Sequence, residues 1–225
     1  MEKLDLAKNL VIFDLDGTLV DSVDQIYNAV YLTRKNFNYA QVSKEVLISK
    51  IGLAASELFS DLNLNYDDNV KVVESFRGNL SMIKLTELNL FPNVKELLNL
   101  LISRNFSLAI ATNKPYWLAD KTLKECAIRG NFSFISGGEN LPPKPDKAIL
   151  ENCLKHFNAP ATTAIMIGDR VEDMLAATSA RVVACGVLQG VHDKNQLFEA
   201  GAKKVFLHIR DLYELIVQGW DFEDL

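Results

Sequence analysis

Two rhythms of apolar and polar positions alternate along this chain. Short, mostly apolar runs recur, each closed by polar or glycine residues: Leu10–Phe13, Phe106–Ala111, Asn131–Ile135, Thr163–Ile167, Val182–Ala184 and a weaker Val205–Leu207. Such runs suit strands buried on both faces of a parallel sheet. Between them, apolar residues fall at helical spacing. Val23, Ile26, Tyr27, Val30 and Arg34 predict a helix reaching about Phe37, with Ser22 as its cap and Gln25 as the capping-box partner. Val94, Leu97, Leu98 and Leu101 give a stripe whose helix is expected to start at Phe91-Pro92. Further helices are expected from Pro115, over Lys147–His156, over Glu172–Ala180 and over Leu212–Val217.

Residues 22–85 break this alternation. They read as helices only, over Glu45–Ser49, Ala54–Leu62 and Asp68–Ile83, with no core strand among them. The pattern therefore predicts an α/β protein with a doubly wound, mostly parallel, Rossmann-like sheet and right-handed crossovers. A small all-helical domain, 22–85, is expected as an insertion after the first strand. Residues 1–21 and 86–225 would form the sheet-bearing core.

The polar residues that end the strands carry the chemistry. Asp14 and Asp16 follow the first run at i and i+2, and Gly17-Thr18 turns the chain immediately after. Thr112-Asn113 ends the second run, Lys144 lies in a proline-rich loop after the third, and Asp169 with Asp173 follows the fourth. Open α/β sheets bind their ligands at such carboxyl ends. Two or three carboxylates with one lysine make a hard-cation site, and oxygen ligands favour Mg²⁺. Asp14, Asp16 and Asp169 in one pocket would repel one another unless Mg²⁺ and Lys144 offset the charge. Thr112 and Asn113 could supply donors to a phosphate, and the whole set suits phosphoryl transfer.

Composition narrows the partners. The 225 residues carry 24 basic and 29 acidic side chains, a formal charge of −5, and no basic block. Nucleic-acid binding and anionic-membrane binding are not expected. No apolar run is long enough for a membrane span, and the charged start Met1–Lys8 lacks a signal-peptide core. Three scattered cysteines, Cys126, Cys153 and Cys185, fit reduced thiols in a cytoplasmic protein.

The segment Asp14-Leu-Asp-Gly-Thr-Leu-Val-Asp-Ser22 resembles the first motif of the haloacid-dehalogenase-like superfamily. Thr112-Asn113-Lys114-Pro115 resembles its second motif, Lys144-Pro145 its third and Ile167-Gly-Asp-Arg-Val-Glu-Asp173 its fourth, in matching order and spacing. The helical insertion is similar to that superfamily's cap of the first type, and the subgroup it most resembles is the phosphoglycolate-phosphatase-like hydrolases. The resemblance implies a Mg²⁺-dependent phosphatase acting on a small phosphorylated metabolite through an aspartyl-phosphate. Asp14 would be the nucleophile and Asp16 the acid and base. Asp14, the Asp16 carbonyl and Asp169 would hold Mg²⁺, and Asp173 would assist there or orient Lys144. Thr112, Asn113 and Lys144 would bind the phosphoryl group.

Some positions depart from the superfamily's pattern. Arg170 replaces a small hydroxyl residue after the motif aspartate, and Arg181 replaces a frequent glycine. Lys50 stands in the cap loop where relatives often carry arginine, and is expected to meet the substrate's anionic group. Lys114 and Asp21 are left without a catalytic role. A phosphomutase of the same superfamily and a non-catalytic binding module are the competing expectations, and dehalogenase chemistry is disfavoured because it needs neither Asp16 nor Mg²⁺. A monomer or a homodimer is equally compatible with the sequence.

Overall fold

A computed structural model describes residues 10–86 and 89–219; the charged start Met1–Lys8 lies outside them. Six strands form one parallel sheet: β1 (Leu10–Phe13), β2 (Ser107–Ala111), β3 (Phe134–Ser136), β4 (Ala164–Gly168), β5 (Val183–Val187) and β6 (Lys204–Phe206), in the order β3-β2-β1-β4-β5-β6. Strand β1 is central because all four of its residues are apolar and both neighbouring ladders use it. Leu10 pairs with Ser107 on one side and with Ala164 on the other. Alternation sends Val11 and Phe13 to one face and Leu10 and Ile12 to the other, so each strand residue feeds one of two cores.

The first core takes α4 (Val94–Ser103), α5 (Tyr116–Glu125) and α9 (Ile209–Val217), through residues such as Leu97, Leu101, Leu123 and Leu212. The second takes α6 (Ala148–Phe157), α7 (Val171–Ser179) and α8 (Lys194–Glu199), through Ile149, Cys153, Met174 and Leu197. From β1 the chain winds outward to β2 and β3, then returns to lay β4 against β1. The switch point therefore lies between β1 and β4, and there the strand ends leave a crevice.

The stretch between β1 and Leu85 is helical, as the pattern predicts. It contains α1 (Val23–Asn36), α2 (Lys44–Ile48), a 3-10 helix over Ala55–Leu62 and α3 (Tyr66–Met82). These close around Ile26, Val30, Phe59, Val72, Phe76 and Leu80, and Leu118 of α5 packs into the same cluster. The buried Arg34 is held inside this insertion by Asp61 at 2.5 Å and by the Ala40 carbonyl at 2.8 Å.

Local details differ from the sequence expectations. Ser22 precedes α1 but its hydroxyl caps nothing, and Gln25 donates instead to the Ile83 carbonyl at 2.6 Å, tying the two ends of the insertion together. Helix α4 starts at Val94 rather than at Phe91-Pro92, because Asn93 takes the left-handed conformation (φ 63°) at its N-terminus. Strand β3 begins three residues late, since Arg129–Asn131 is a 3-10 turn. Arg181 takes the left-handed conformation (φ 60°), which a glycine adopts freely, so the turn into β5 is made at a cost of roughly 1 kcal/mol.

Candidate active site at the switch point

The two acids after β1 are placed by backbone pairing that outlasts the strand. The Asp14 amide donates to the Ile167 carbonyl at 2.9 Å, extending the β1–β4 ladder. The chain then folds sharply: the amides of Thr18, Leu19 and Val20 all reach the Leu15 carbonyl, at 3.4, 3.0 and 3.1 Å. Gly17 makes this turn with φ +87°, and a Cβ there would stand 2.6 Å from Asp169 Oδ2. Only glycine allows both that backbone and that approach. Gly190 is pressed more closely still against the same Asp169 oxygen.

Lys144 is the hub. Its ammonium donates to Asp14 Oδ1 at 2.7 Å, to Asp173 Oδ1 at 2.6 Å and to the Ala111 carbonyl at 2.9 Å, and all three side chains are buried. Asp173 spends its other oxygen on the Arg170 amide at 3.1 Å, which fixes its carboxylate at the start of α7. Asp169 accepts from the Thr18 hydroxyl at 2.6 Å. Asp14, Asp169 and Asp173 offer ligand oxygens that all lie within 4.8 Å of one another.

Asp16 belongs to a second pair. Its Oδ1 accepts from Lys114 Nζ at 2.8 Å, with both side chains buried. Thr112, at the end of β2, accepts the Lys114 amide on its hydroxyl oxygen at 3.2 Å, which leaves the hydroxyl proton free to donate. The Asn113 side chain is committed: it accepts the Lys144 amide at 2.8 Å and donates to the Gly52 carbonyl at 3.0 Å.

The charges do not balance within the protein. Four buried carboxylates, Asp14, Asp16, Asp169 and Asp173, face two ammonium groups, those of Lys114 and Lys144. Burial raises the Asp14 carboxyl to about 7; Lys144 opposes the rise while Asp173 and Asp16 add to it. Burial, with the Asp14 and Asp173 charges, raises Asp169 well above the usual carboxylate range. Burial would lower the Lys144 ammonium, but the charges of Asp14 and Asp173 outweigh it and hold the amine protonated. Fully ionised, these carboxylates would exceed the two ammonium groups by two charges, and such converging oxygens fit a divalent cation with hard oxygen ligands. Asp14, Asp169 and Asp173 are the side chains that could hold it.

The expected residues thus gather at one edge, with one exception. Lys50 donates to Ser60 Oγ at 2.9 Å on the insertion itself. It is absent from the walls of the cavity over Asp14, where its neighbours Ile51, Gly52 and Leu53 appear instead. Three residues were not anticipated. Thr18 and Lys114 lie within the first and second motifs, but their partners, Asp169 and Asp16, are 151 and 98 positions away. Arg77, on α3, reaches the cavity wall from the insertion and has no signal in the sequence beyond its charge. His192 accepts the Val171 amide at 3.3 Å and takes no part in the acid cluster.

Arg170 has a structural explanation. Its guanidinium leaves the acids and crosses to the insertion, donating to the Ile51 carbonyl at 2.6 Å and the Ser49 carbonyl at 3.2 Å, while Glu172 pairs with it at 3.0 Å. With Asn113 on Gly52, the core grips the loop 49–52 by three carbonyls. Charge-assisted bonds of this kind contribute about 1.5–3 kcal/mol each. Arg170→Ser is therefore expected to speed amide hydrogen exchange over residues 49–53 by at least about tenfold, measured by mass spectrometry, with the sheet unchanged.

The chain is similar to known proteins over most of its length. Residues 11–187 match the family model described as haloacid dehalogenase-like hydrolase. A probable phosphatase, IndB, of Dickeya dadantii is 30% identical over 196 residues, covering 84% of this chain and 85% of that protein. A phosphoglycolate phosphatase of Mannheimia succiniciproducens is 30% identical over 218 residues, covering 92% and 97% respectively. The crystal structure of a predicted phosphoglycolate phosphatase from Haemophilus somnus superimposes with a TM-score of 0.82 at 27% identity, covering 95% of this chain and all of the other. The family match runs from β1 to the end of β5, over the strands that carry the site, and this chain belongs to the haloacid dehalogenase-like hydrolases.

Proposed function

We propose that the protein is a Mg²⁺-dependent phosphatase that hydrolyses a small phosphomonoester through an aspartyl-phosphate on Asp14. The observation that carries this reading is the contact of Lys144 with both Asp14 and Asp173, beside a cavity lined by Asp14, Asp16 and Thr112. An Asp14 oxygen would attack phosphorus as the bond to the ester oxygen breaks. Asp16 would protonate that departing oxygen, then take a proton from the water that cleaves the acyl phosphate. Lys144 and the free Thr112 hydroxyl proton would offset charge on the phosphoryl oxygens. Lys114 holds the Asp16 carboxylate in place for both proton transfers. A bound Mg²⁺ would supply electrostatic stabilisation of the phosphoryl charge.

We take residues 1–21 and 86–225 as the catalytic core and 22–85 as the cap that excludes bulk water. Among the described residues no helix is long and apolar enough to cross a membrane. Burial pushes the thiols of Cys126 and Cys153 up to about 11 and about 12, so neither serves as a nucleophile at neutral pH.

A panel of phosphorylated metabolites assayed for free phosphate, with Mg²⁺ and with chelator, tests the reading. Phosphate release at least about 10²-fold faster with Mg²⁺ is expected, given the excess of carboxylates over ammonium groups. Activity indifferent to chelator would sink the proposed site. An isomerised sugar phosphate in place of free phosphate would turn the assignment to a mutase.

A further inference from the structure

Asp169 is confined by backbone as well as by its neighbours in the acid cluster. The Thr18 hydroxyl fixes its Oδ1 at 2.6 Å. Two backbone stretches crowd its Oδ2: Gly17, in the turn after β1, and Gly190, in the loop after β5. A Cβ on Gly17 would stand 2.6 Å from that oxygen, and one on Gly190 2.0 Å. The carboxylate therefore lies in a slot built by segments far apart in the chain. Neither glycine has a side chain with which to pack. A cavity of about 150 Å³, distinct from the one over Asp14, opens beside Asp169 and is lined by Gly17, Gln189 and Gly190. Close packing alone does not hold the slot together.

Gln189 does so by hydrogen bonds. Its Nε2 donates to the Thr18 carbonyl at 3.1 Å. Its Oε1 accepts from the amide of Ile209, the first residue of α9, whose N–H has no partner within the helix. Helix α9 is in turn fixed by Ile209, Leu212 and Ile216, all buried in the first core. One side chain, adjacent to Gly190, thus ties the loop after β5 to the turn after β1 and anchors both on a core helix. The task needs a donor and an acceptor at the end of one long side chain. Glutamine carries both, whereas an ionised glutamate only accepts and a lysine only donates. Gln189 does not line the cavity over Asp14, so it acts through Thr18 and Asp169 rather than on a reacting group.

A slot that fixes both oxygens of a carboxylate favours the cation with the stricter geometry. Mg²⁺ demands a near-ideal octahedron of oxygens, whereas Ca²⁺ accepts a looser and more variable set. We infer that Gln189 is a positioning residue for the cation site: by tying the Thr18 turn to the Gly190 loop, it holds Asp169 in the orientation that selects Mg²⁺ over Ca²⁺. This rests on the reading of Asp14, Asp169 and Asp173 as cation ligands.

The test is a thermal-shift titration of the full chain with magnesium chloride and with calcium chloride, without substrate, which yields an apparent dissociation constant for each cation. The wild type should bind Mg²⁺ more tightly than Ca²⁺. Gln189→Met keeps the side-chain length and loses both amide groups. It should weaken Mg²⁺ binding about tenfold, the lower end of the effect of groups that orient metal ligands, and Ca²⁺ binding by less than about twofold. Thr18→Val keeps the shape and the backbone carbonyl but removes the hydroxyl that meets Asp169. In that background Gln189→Met should change Mg²⁺ binding by less than about twofold, because no hydroxyl is left for the tie to aim. Equal losses for the two cations would make Gln189 a structural residue alone and overturn the inference. So would a full tenfold loss of Mg²⁺ binding in the Thr18→Val background, or a folded Gln189→Met that binds Mg²⁺ as the wild type does; in these cases the cation site itself stands. A wild-type melting temperature that neither cation moves overturns the inference together with the cation reading.

Discussion

Asp14→Asn is expected to lower phosphate release by on the order of 10⁴-fold or more while leaving the fold intact. The loss follows from chemistry: the amide oxygen is a poor nucleophile, and no neighbouring carboxylate has the place of Asp14 at the end of β1. A second effect, on the stability of the metal-free protein, follows from electrostatics. Burial lifts the Asp14 carboxyl to about 7, against an ordinary value near 3.8. The folded chain then holds a proton that the unfolded chain releases, so this group removes stability as pH rises from about 4 towards 7. Asn cannot ionise, and Lys144 keeps Asp173 at 2.6 Å as its partner. In chelator at pH 7 the variant should melt no lower than wild type, and its stability should fall less steeply between pH 4 and 7. Added Mg²⁺ should raise the wild-type melting temperature and move the variant much less, because binding to the folded state alone stabilises it. Near-normal phosphate release by a folded Asp14→Asn protein would rule out the covalent scheme.

How far the sequence foretold the site depends on what each residue's position required. Strand β1 was legible residue for residue, because an apolar run bounded by acids has one way to lie in a buried sheet. The gathering of Asp14, Asp169 and Asp173 was legible for the same reason: parallel strands in a doubly wound order bring their carboxyl ends to one edge. Side-chain direction was not legible. Lys50 lies in the expected loop, yet Ser60 on the neighbouring 3-10 helix claims its ammonium. Lys114 looked incidental because its partner, Asp16, is 98 positions away.

Capping was similarly hidden by tertiary structure. Ser22 and Gln25 have the capping-box spacing, but closure of the insertion draws Gln25 to Ile83. Helix α8 carries a genuine box between Asp193 and Gln196, but it has six residues and buries one apolar side chain, Leu197. So short an amphipathic pattern is weak in sequence. Arg170 looked like a loss from the motif. In space it trades a short hydroxyl for a reach across the cleft to Ser49 and Ile51, and the site keeps its acids while gaining a grip on the insertion.

Lys144 has two duties, and a variant pair should separate them. Lys144→Met leaves Asp14, Asp169 and Asp173 within 4.8 Å of one another with no ammonium between them. Removing one partner of a buried charge pair costs about 3–5 kcal/mol, so the metal-free variant should melt far below wild type, and phosphate release should fall by about 10³-fold with the loss of phosphoryl charge stabilisation. Asp173→Asn alone also breaks a buried pair, leaving Lys144 on Asp14 and the Ala111 carbonyl. In the double variant the missing cation and one missing anion cancel. Its melting temperature should therefore lie well above the value expected from adding the two single losses, by a coupling of about 1–3 kcal/mol. Activity should show no such recovery, because neither methionine nor asparagine can place a positive charge on the phosphoryl oxygens. Recovery of both together would make Lys144 a structural counter-ion alone. Recovery of stability without activity assigns the same ammonium to folding through Asp173 and to catalysis through Asp14.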